Sequence, residues 1–394
     1  MSSKDIVICS PVRTPIGTYG GSLKDTPATE LGTIAIKASL ERAGIAHEKI
    51  QSLVMGNVIQ AGTGMNPARQ AGIGAKLPVE VPALTVNRVC GSGAQAIVSA
   101  FQEIAAGFTD CAIAGGMENM DLAPYLMANG RWGARMGDTS LVDSMLRDGL
   151  NDAFSGKHSG WHTEDMVSRY GVSREDQDQW AFRSQQRFAS AQEAGSFDDE
   201  LISVEVAGRK GPSLFARDEH NRPDTTLESL SRLRPVFRED GTITAGNSPG
   251  LNSGAAAMIV ADRHWAEAHD LKPMAKIVGY GISAVEPGYF GFGPVPAVRQ
   301  ALQRAGWQTT DVDRVEINEA FAAVTLVCLR EIGFPEDIVN PDGGAVAHGH
   351  PIGASGAVLT VRLLHAMARE KQQRGIVSLC IGGGQGIALA LELL

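Results

Sequence analysis

Short apolar runs alternate with segments of helical pattern through the first third of the chain. Ile6–Cys9 and Ser52–Ile59 read as strands, and Cys111–Ala114 as another that runs into Gly115-Gly116. Thr29–Ala43 reads as a helix stopped by Gly44, and Gly91–Ala106 as one stopped by Gly107, because glycine accepts the left-handed conformation that ends a helix. Strand–helix alternation of this kind predicts βα units around a buried, mainly parallel sheet.

The last third echoes the first. Leu40-Glu41-Arg42-Ala43-Gly44 recurs as Leu302-Gln303-Arg304-Ala305-Gly306, an offset of 262. At that offset Ile50, Leu53 and Met55 meet Val312, Val315 and Ile317, and Cys111–Gly116 resembles Ser378–Gly384 further on. A period this long predicts duplicated halves, since solenoid units repeat every 20–50 residues or so. The chain therefore divides into a first half over 1–120, an insert over 121–250 and a second half over 251–394. The insert is richer in charge and turn residues. Its one clear amphipathic helix, Arg174–Ala194, is opened by the capping box Ser173-Arg174-Glu175-Asp176.

Composition narrows the chemistry. The 394 residues carry a formal charge of −9 with no run of five like charges, so nucleic acid is not an expected partner. Arg131, Arg135, Arg209, Lys210, Arg217 and Arg222 are local exceptions, fitting either a solvated face or capture of an anionic ligand. No stretch approaches a membrane span, and the N-terminus lacks the basic and apolar regions of a secretion signal. Five cysteines are odd in number and too few for a disulfide scaffold, so a reduced, cytoplasmic setting is expected. The 46 glycines suggest close backbone approaches.

Three segments could carry chemistry. In Arg88-Val89-Cys90-Gly91-Ser92-Gly93 a thiol stands at the mouth of a helix, whose positive end favours a thiolate. Cys9, Cys111 and Cys328 sit in apolar runs and read as packing residues. In His348-Gly349-His350-Pro351, His350 is restricted by its neighbours and open to a ligand, which suits a general base or an oxyanion donor. No cysteine or carboxylate pair stands at zinc spacing beside His348 and His350, so no metal is expected. Cys380-Ile381-Gly382-Gly383-Gly384 places a second thiol at a strand end. Asn318-Glu319-Ala320-Phe321 follows the strand Arg314–Ile317 and opens a helix, where Asn318 could simply be the cap. Gly246-Asn247-Ser248-Pro249-Gly250 matches the G-x-S-x-G pattern of serine hydrolases. That mechanism needs an N–H on the residue after the nucleophile, and Pro249 has none.

Together, Cys90-Gly91-Ser92, Asn318-Glu319-Ala320-Phe321, Gly349-His350-Pro351 and Cys380-Ile381-Gly382 resemble the four signature blocks of the thiolase family, in the family's order. The likeness is greatest to the biosynthetic branch that forms acetoacetyl-CoA. It extends over the chain through Arg13-Thr14-Pro15-Ile16-Gly17, Gly115-Gly116-Met117-Glu118, Arg131–Arg135 and Thr244-Ala245-Gly246-Asn247.

The resemblance implies an α/β fold of two duplicated halves in a five-layered αβαβα arrangement, with a loop domain inserted in the first. It implies reversible Claisen condensation of two acetyl-CoA molecules, or the same chemistry run degradatively on longer 3-ketoacyl-CoAs. Coenzyme A thioesters are then substrates, and no cofactor is required. Cys90 would be the nucleophile, His350 its base and an oxyanion donor, and Asn318 the holder of a second donor. Cys380 would remove the α-proton, and the Cys90 and Gly382 N–H groups would bind the acetyl oxygen. Arg222 and Ser229 are implied at the adenine end of coenzyme A, with His158, Ala245, Pro249, Phe290, Ala320 and Phe321 along the pantetheine and acyl tunnel. Ser159 and Phe290 stand where the family often has Met, and Pro249 where it commonly has Ser. The family is oligomeric, and the Arg131–Gly137 segment implies a homotetramer built as a dimer of dimers.

Overall fold

A computed structural model of the chain describes residues 4–208 and 211–394; Arg209 and Lys210 lie outside them. The first half supplies β1 (Ile6–Arg13), α1 (Ala28–Ala43), β2 (Ser52–Gly56), α2 (Pro67–Gly74), β3 (Ala83–Val86), α3 (Ser92–Ala105) and β4 (Cys111–Asn119). The insert carries α4 (Ser159–Tyr170) and α5 (Arg174–Glu193), the latter with both bonds of its Ser173/Asp176 capping box. After it come β5 (Asn252–Asp262), β6 (Pro273–Ala284), α6 (Pro294–Ala305), β7 (Arg314–Ile317), α7 (Ala322–Ile332), α8 (Ser355–Glu370), β8 (Arg374–Ile381) and β9 (Gln385–Leu393).

Two sheets of one topology are joined edge to edge. The first runs β3-β2-β4-β5-β1 and the second β7-β8-β9-β6, with β1 bonded to β6. A parallel bridge from Val315 to Val339 marks the position in the second sheet that β3 holds in the first. The 262-residue echo is thus a duplicated unit, and Gly44 and Gly306 end α1 and α6 in the same left-handed conformation (φ 66° and 70°).

Two expectations need correction. Only β2·β3, β2·β4 and β7·β8 pair in parallel, while the other pairs of main strands are antiparallel. The last strand of each half causes this, returning against its neighbour; β8 and β9 form a hairpin through Gly382-Gly383-Gly384. Further, β5 pairs with β4 and β1, so it completes the first sheet. A division at residue 250 therefore cuts the first half short.

Five layers follow from the side chains. Along β5, Ala256, Met258 and Val260 face a core shared with α3 and α8, while Ala255, Ala257, Ile259 and Ala261 face α1 and α2. Along β9, Ile387, Leu389 and Leu391 face the same central helices, and Ala388 and Ala390 face α6 and α7. Strands buried on both faces need small residues where helices press closest. A Cβ on Gly281 of β6 would lie 1.9 Å from the Ala297 carbonyl oxygen of α6. Much of the glycine surplus is therefore spent on layer spacing.

Candidate active site

Four chain segments converge at one end of the sheets. The turn before α3 brings Cys90, the loop after β7 brings Asn318, the loop before α8 brings His350, and the end of β8 brings Cys380. Cys90, His350 and Gly382 line a cavity of about 360 Å³, together with His158, Ala245, Pro249, Phe290, Ala320 and Phe321. An outer cavity carries Arg222 and Ser229 and shares Ala245, Ser248, Pro249 and Gly250 with the inner one. Of those basic residues that are described, Arg222 alone lines either cavity, and Arg131, Arg135 and Arg217 are exposed. Asn318 and Cys380 are fully buried behind the inner wall.

The Cys90 sulfur lies where its own N–H and that of Gly382 point at it, and Val89 before it is held at φ 44°. A β-branched residue adopts that conformation only under constraint. The expected thiolate is not the resting state. Burial pushes the Cys90 thiol up to about 11 despite the two N–H donors, with the Glu118 charge also raising it. Burial likewise raises the Cys380 thiol well above its ordinary value, with Cys90 and Cys328 adding to the rise. Both thiols need a base that acts when substrate is bound.

His350 has the geometry of that base, although it is 6% exposed and less open than its glycine and proline neighbours suggested. Its backbone N–H donates to Asn252 Oδ1 at 2.8 Å. Its Nδ1 lies 2.6 Å from Ser355 Oγ, whose hydroxyl donates to the Pro351 carbonyl at 2.9 Å. With that proton committed, Ser355 accepts from Nδ1–H and Nε2 carries the lone pair. The Asn318 amide nitrogen sits 3.3 Å from Nε2. Burial lowers His350 to about 4, so its ring is neutral near pH 7. His348 turns the other way, with its ring 6.0 Å from that of Phe188. The two histidines do not form a ligand pair, and among the described residues no three metal-ligating side chains stand together. Asn318 is not a helix cap, since α7 begins at Ala322 with Phe321 at its N-cap.

His158 stacks on Phe237 with centroids 4.5 Å apart, and Phe237 meets the Phe321 ring edge-on at 5.9 Å. The His158 Nδ1 accepts the Gly160 N–H at 3.0 Å, which leaves the ring proton on Nε2. Sequence reasoning missed Phe237, Met120, the Arg147–Ala153 wall and His220 of the outer cavity, none of which stands in a motif. It also gave no role to two buried carboxylates. Glu319 accepts from Trp180, Ser184, Asn340 and the Val346 N–H. Glu118 accepts from Asn57 and three backbone N–H groups. Gly91 and Gly349 leave room for protein and not for substrate: a Cβ on them would meet Ile381 and Asn252 at 2.6 and 2.5 Å.

The family model described as "Thiolase, N-terminal domain" matches residues 6–264, and "Thiolase, C-terminal domain" matches residues 271–393. An acetyl-CoA acetyltransferase of Chromobacterium violaceum is 49% identical over 389 residues, covering 98% of this chain and 99% of its own. A probable acetyl-CoA acyltransferase of Staphylococcus epidermidis is 50% identical over 388 residues, 98% of each. The crystal structure of the Bacillus anthracis acetyl-CoA acetyltransferase superposes with a TM-score of 0.97 at 39% identity, covering 100% of this chain and 99% of that one. Two matched domains, relatives along nearly the whole length and a shared fold lead to one conclusion: the chain belongs to the thiolase family.

Proposed function

We propose that the protein is an acetyl-CoA acetyltransferase that condenses two acetyl-CoA molecules to acetoacetyl-CoA and coenzyme A, reversibly and through acetyl-Cys90. The observation that carries this reading is the convergence of Cys90, His350 and the Gly382 N–H on one cavity, with Asn318 and Cys380 directly behind it.

In the first half-reaction His350 Nε2 takes the Cys90 proton as the sulfur attacks the thioester carbon. The C–S bond to coenzyme A breaks, and its sulfur leaves with the proton of Cys380, which becomes a thiolate while His350 keeps the proton of Cys90. In the second, Cys380 as thiolate removes the α-proton of another acetyl-CoA. The resulting carbanion forms a C–C bond to the acetyl carbon as its bond to Cys90 breaks. Cys90 leaves as thiolate and takes the proton held on His350, while Cys380 keeps the α-proton, so both thiols and the neutral imidazole are restored. Acetylation of Cys90 removes an ionisable neighbour that raises Cys380, so a Cys380 thiolate becomes less costly at the step that needs it. Oxyanions are held by His350 with Asn318, and by the Cys90 and Gly382 N–H groups.

Arg222 and Ser229 serve the nucleotide end of coenzyme A, and the tunnel past Ala245, Pro249, His158 and Phe321 takes pantetheine. Five free, buried cysteines suit a reducing cytoplasm, and among the described residues no helix is long and apolar enough to cross a membrane. Trp132 and Met136, 88% and 94% exposed in the insert, support a homotetramer, checked by light scattering.

The decisive experiment is intact-protein mass after acetyl-CoA. The unsubstituted protein gains one acetyl group, Cys90→Ser gains none, and Cys380→Ser is acetylated but does not condense. An acetyl adduct surviving in Cys90→Ser overturns the assignment. Thiolysis across 3-ketoacyl-CoAs of increasing length tests the substrate: a rate rising with length would favour degradative action on longer chains.

A further inference from the structure

Glu118 is the penultimate residue of β4 and is fully buried, yet no Lys or Arg is bonded to it among the described residues. Every bond it makes is to a donor that shapes the site. Its Oε1 accepts from Asn57 Nδ2 at 2.8 Å and the Ile59 N–H at 3.3 Å. Its Oε2 accepts from the Val58 N–H at 3.1 Å and the Gly353 N–H at 2.9 Å. Val58 and Ile59 pack in the same apolar cluster as Cys90 and Ile352. Gly353 lies three residues beyond His350. The carboxylate therefore binds the Cys90 wall to the His350 loop.

The backbone beneath is packed to match. Gly56 and Gly116 are register partners of β2 and β4, and a Cβ on either would lie within 2.7 Å of the Gly353 carbonyl oxygen. Loop, strand ends and the start of α3 meet without side chains between them, so a small movement at Gly353 is passed to Ser92 and Gly93.

We infer that Glu118 is a positioning residue for acyl transfer: its four hydrogen bonds hold Cys90 and His350 in register, and its uncompensated carboxylate places a negative charge within reach of the Cys90 sulfur. Both oxygens act only as acceptors, so the anionic form is the one that all four donors require. An amide in its place puts a donor against a donor on one side. Burial opposes that anion and pushes the carboxyl up to about 7, while the four donors pull it down. Among ionisable groups, Cys90, from the turn before α3, lies within reach of its charge; Asn57 faces it from the end of β2 and the Gly353 N–H from the loop before α8. The inference rests on the acyl-transfer reading for its rate effect only.

The test is the pH profile of Cys90 alkylation by iodoacetamide, followed by peptide mass in the full-length protein. In Glu118→Gln the midpoint moves to lower pH by about one unit, the size of a nearby like charge removed. Glu118→Asp keeps the charge and shortens the reach, so its midpoint stays while acetyl-Cys90 forms about tenfold slower with KM little changed. A purely structural role would slow both variants and move neither midpoint, and that result overturns the inference. If Glu118→Gln does not fold, Asn57→Ser removes one donor and leaves the charge. It too must slow acetylation severalfold, and an unchanged rate overturns the positioning role. Failure of the unsubstituted protein to cleave acetoacetyl-CoA would count against the proposed activity while leaving the alkylation result standing.

Discussion

Asn318 Nδ2 lies 3.3 Å from His350 Nε2, although the two residues arrive from different loops and are 32 positions apart. The contact holds the lone pair of His350 at one point on the cavity wall. Ser355 holds the opposite ring nitrogen at 2.6 Å, so the imidazole is clamped on both edges. Ser355→Ala releases that clamp. We expect kcat to fall about 10- to 100-fold with KM little altered, from the ~1–3 kcal/mol that an unpaired buried donor costs. Steady-state thiolysis of acetoacetyl-CoA measures it; an unchanged kcat would deny Ser355 its orienting role.

Stability should fall on the acid side. Burial lowers His158, His220 and His350 to about 4, against an ordinary value near 6.5. Between pH 6.5 and 4 the unfolded chain binds protons that the folded chain refuses, so stability present above 6.5 is lost as pH drops. Glu118 acts oppositely: its raised carboxyl contributes stability at low pH that is lost as pH rises through about 7. Burial lowers His348 as well and raises the Glu316 carboxyl, so four histidines against two carboxyls predict a melting temperature that climbs from about pH 4.5 to 6.5. Melting curves across that range decide the sign.

Gly160→Ala addresses the tunnel. A Cβ there would sit 2.2 Å from the Phe237 ring, which stacks on His158. The ring must shift, at about 1–3 kcal/mol for an overpacked site. KM for coenzyme A in thiolysis should rise about tenfold, with acetylation of Cys90 less affected. Equal KM in both proteins would mean that the aromatic wall does not touch the thioester arm.

Arg13 joins the insert to the first half. Its fully buried guanidinium meets Glu200 at 2.7 Å and Asp218 at 2.8 Å. Arg13→Met strands two buried carboxylates, and breaking such a pair costs about 3–5 kcal/mol. Urea unfolding should show a lower midpoint, with the insert lost first under limited proteolysis. A midpoint unchanged within error would contradict this.

Much of this was legible from residue order. The capping box of α5, the glycines that stop α1 and α6, and the repeat at 262 residues are local or periodic signals, so they survive without the fold. The strand directions were less legible, because an apolar run looks the same whether its neighbour is parallel or antiparallel. Glu118 stood in a quoted motif with no role, because its importance lies in donors that come from positions 57–59 and 353.

The sequence by itself determined which residues are available: two thiols beside glycine turns, one histidine held between Gly349 and Pro351, and halves that repeat. Tertiary structure decided their state. It buried both thiols as protonated groups, kept His350 neutral and turned His348 away. It also spent the glycines on contacts between layers. The physical reason is that charge and access are set by burial, and burial depends on residues hundreds of positions apart.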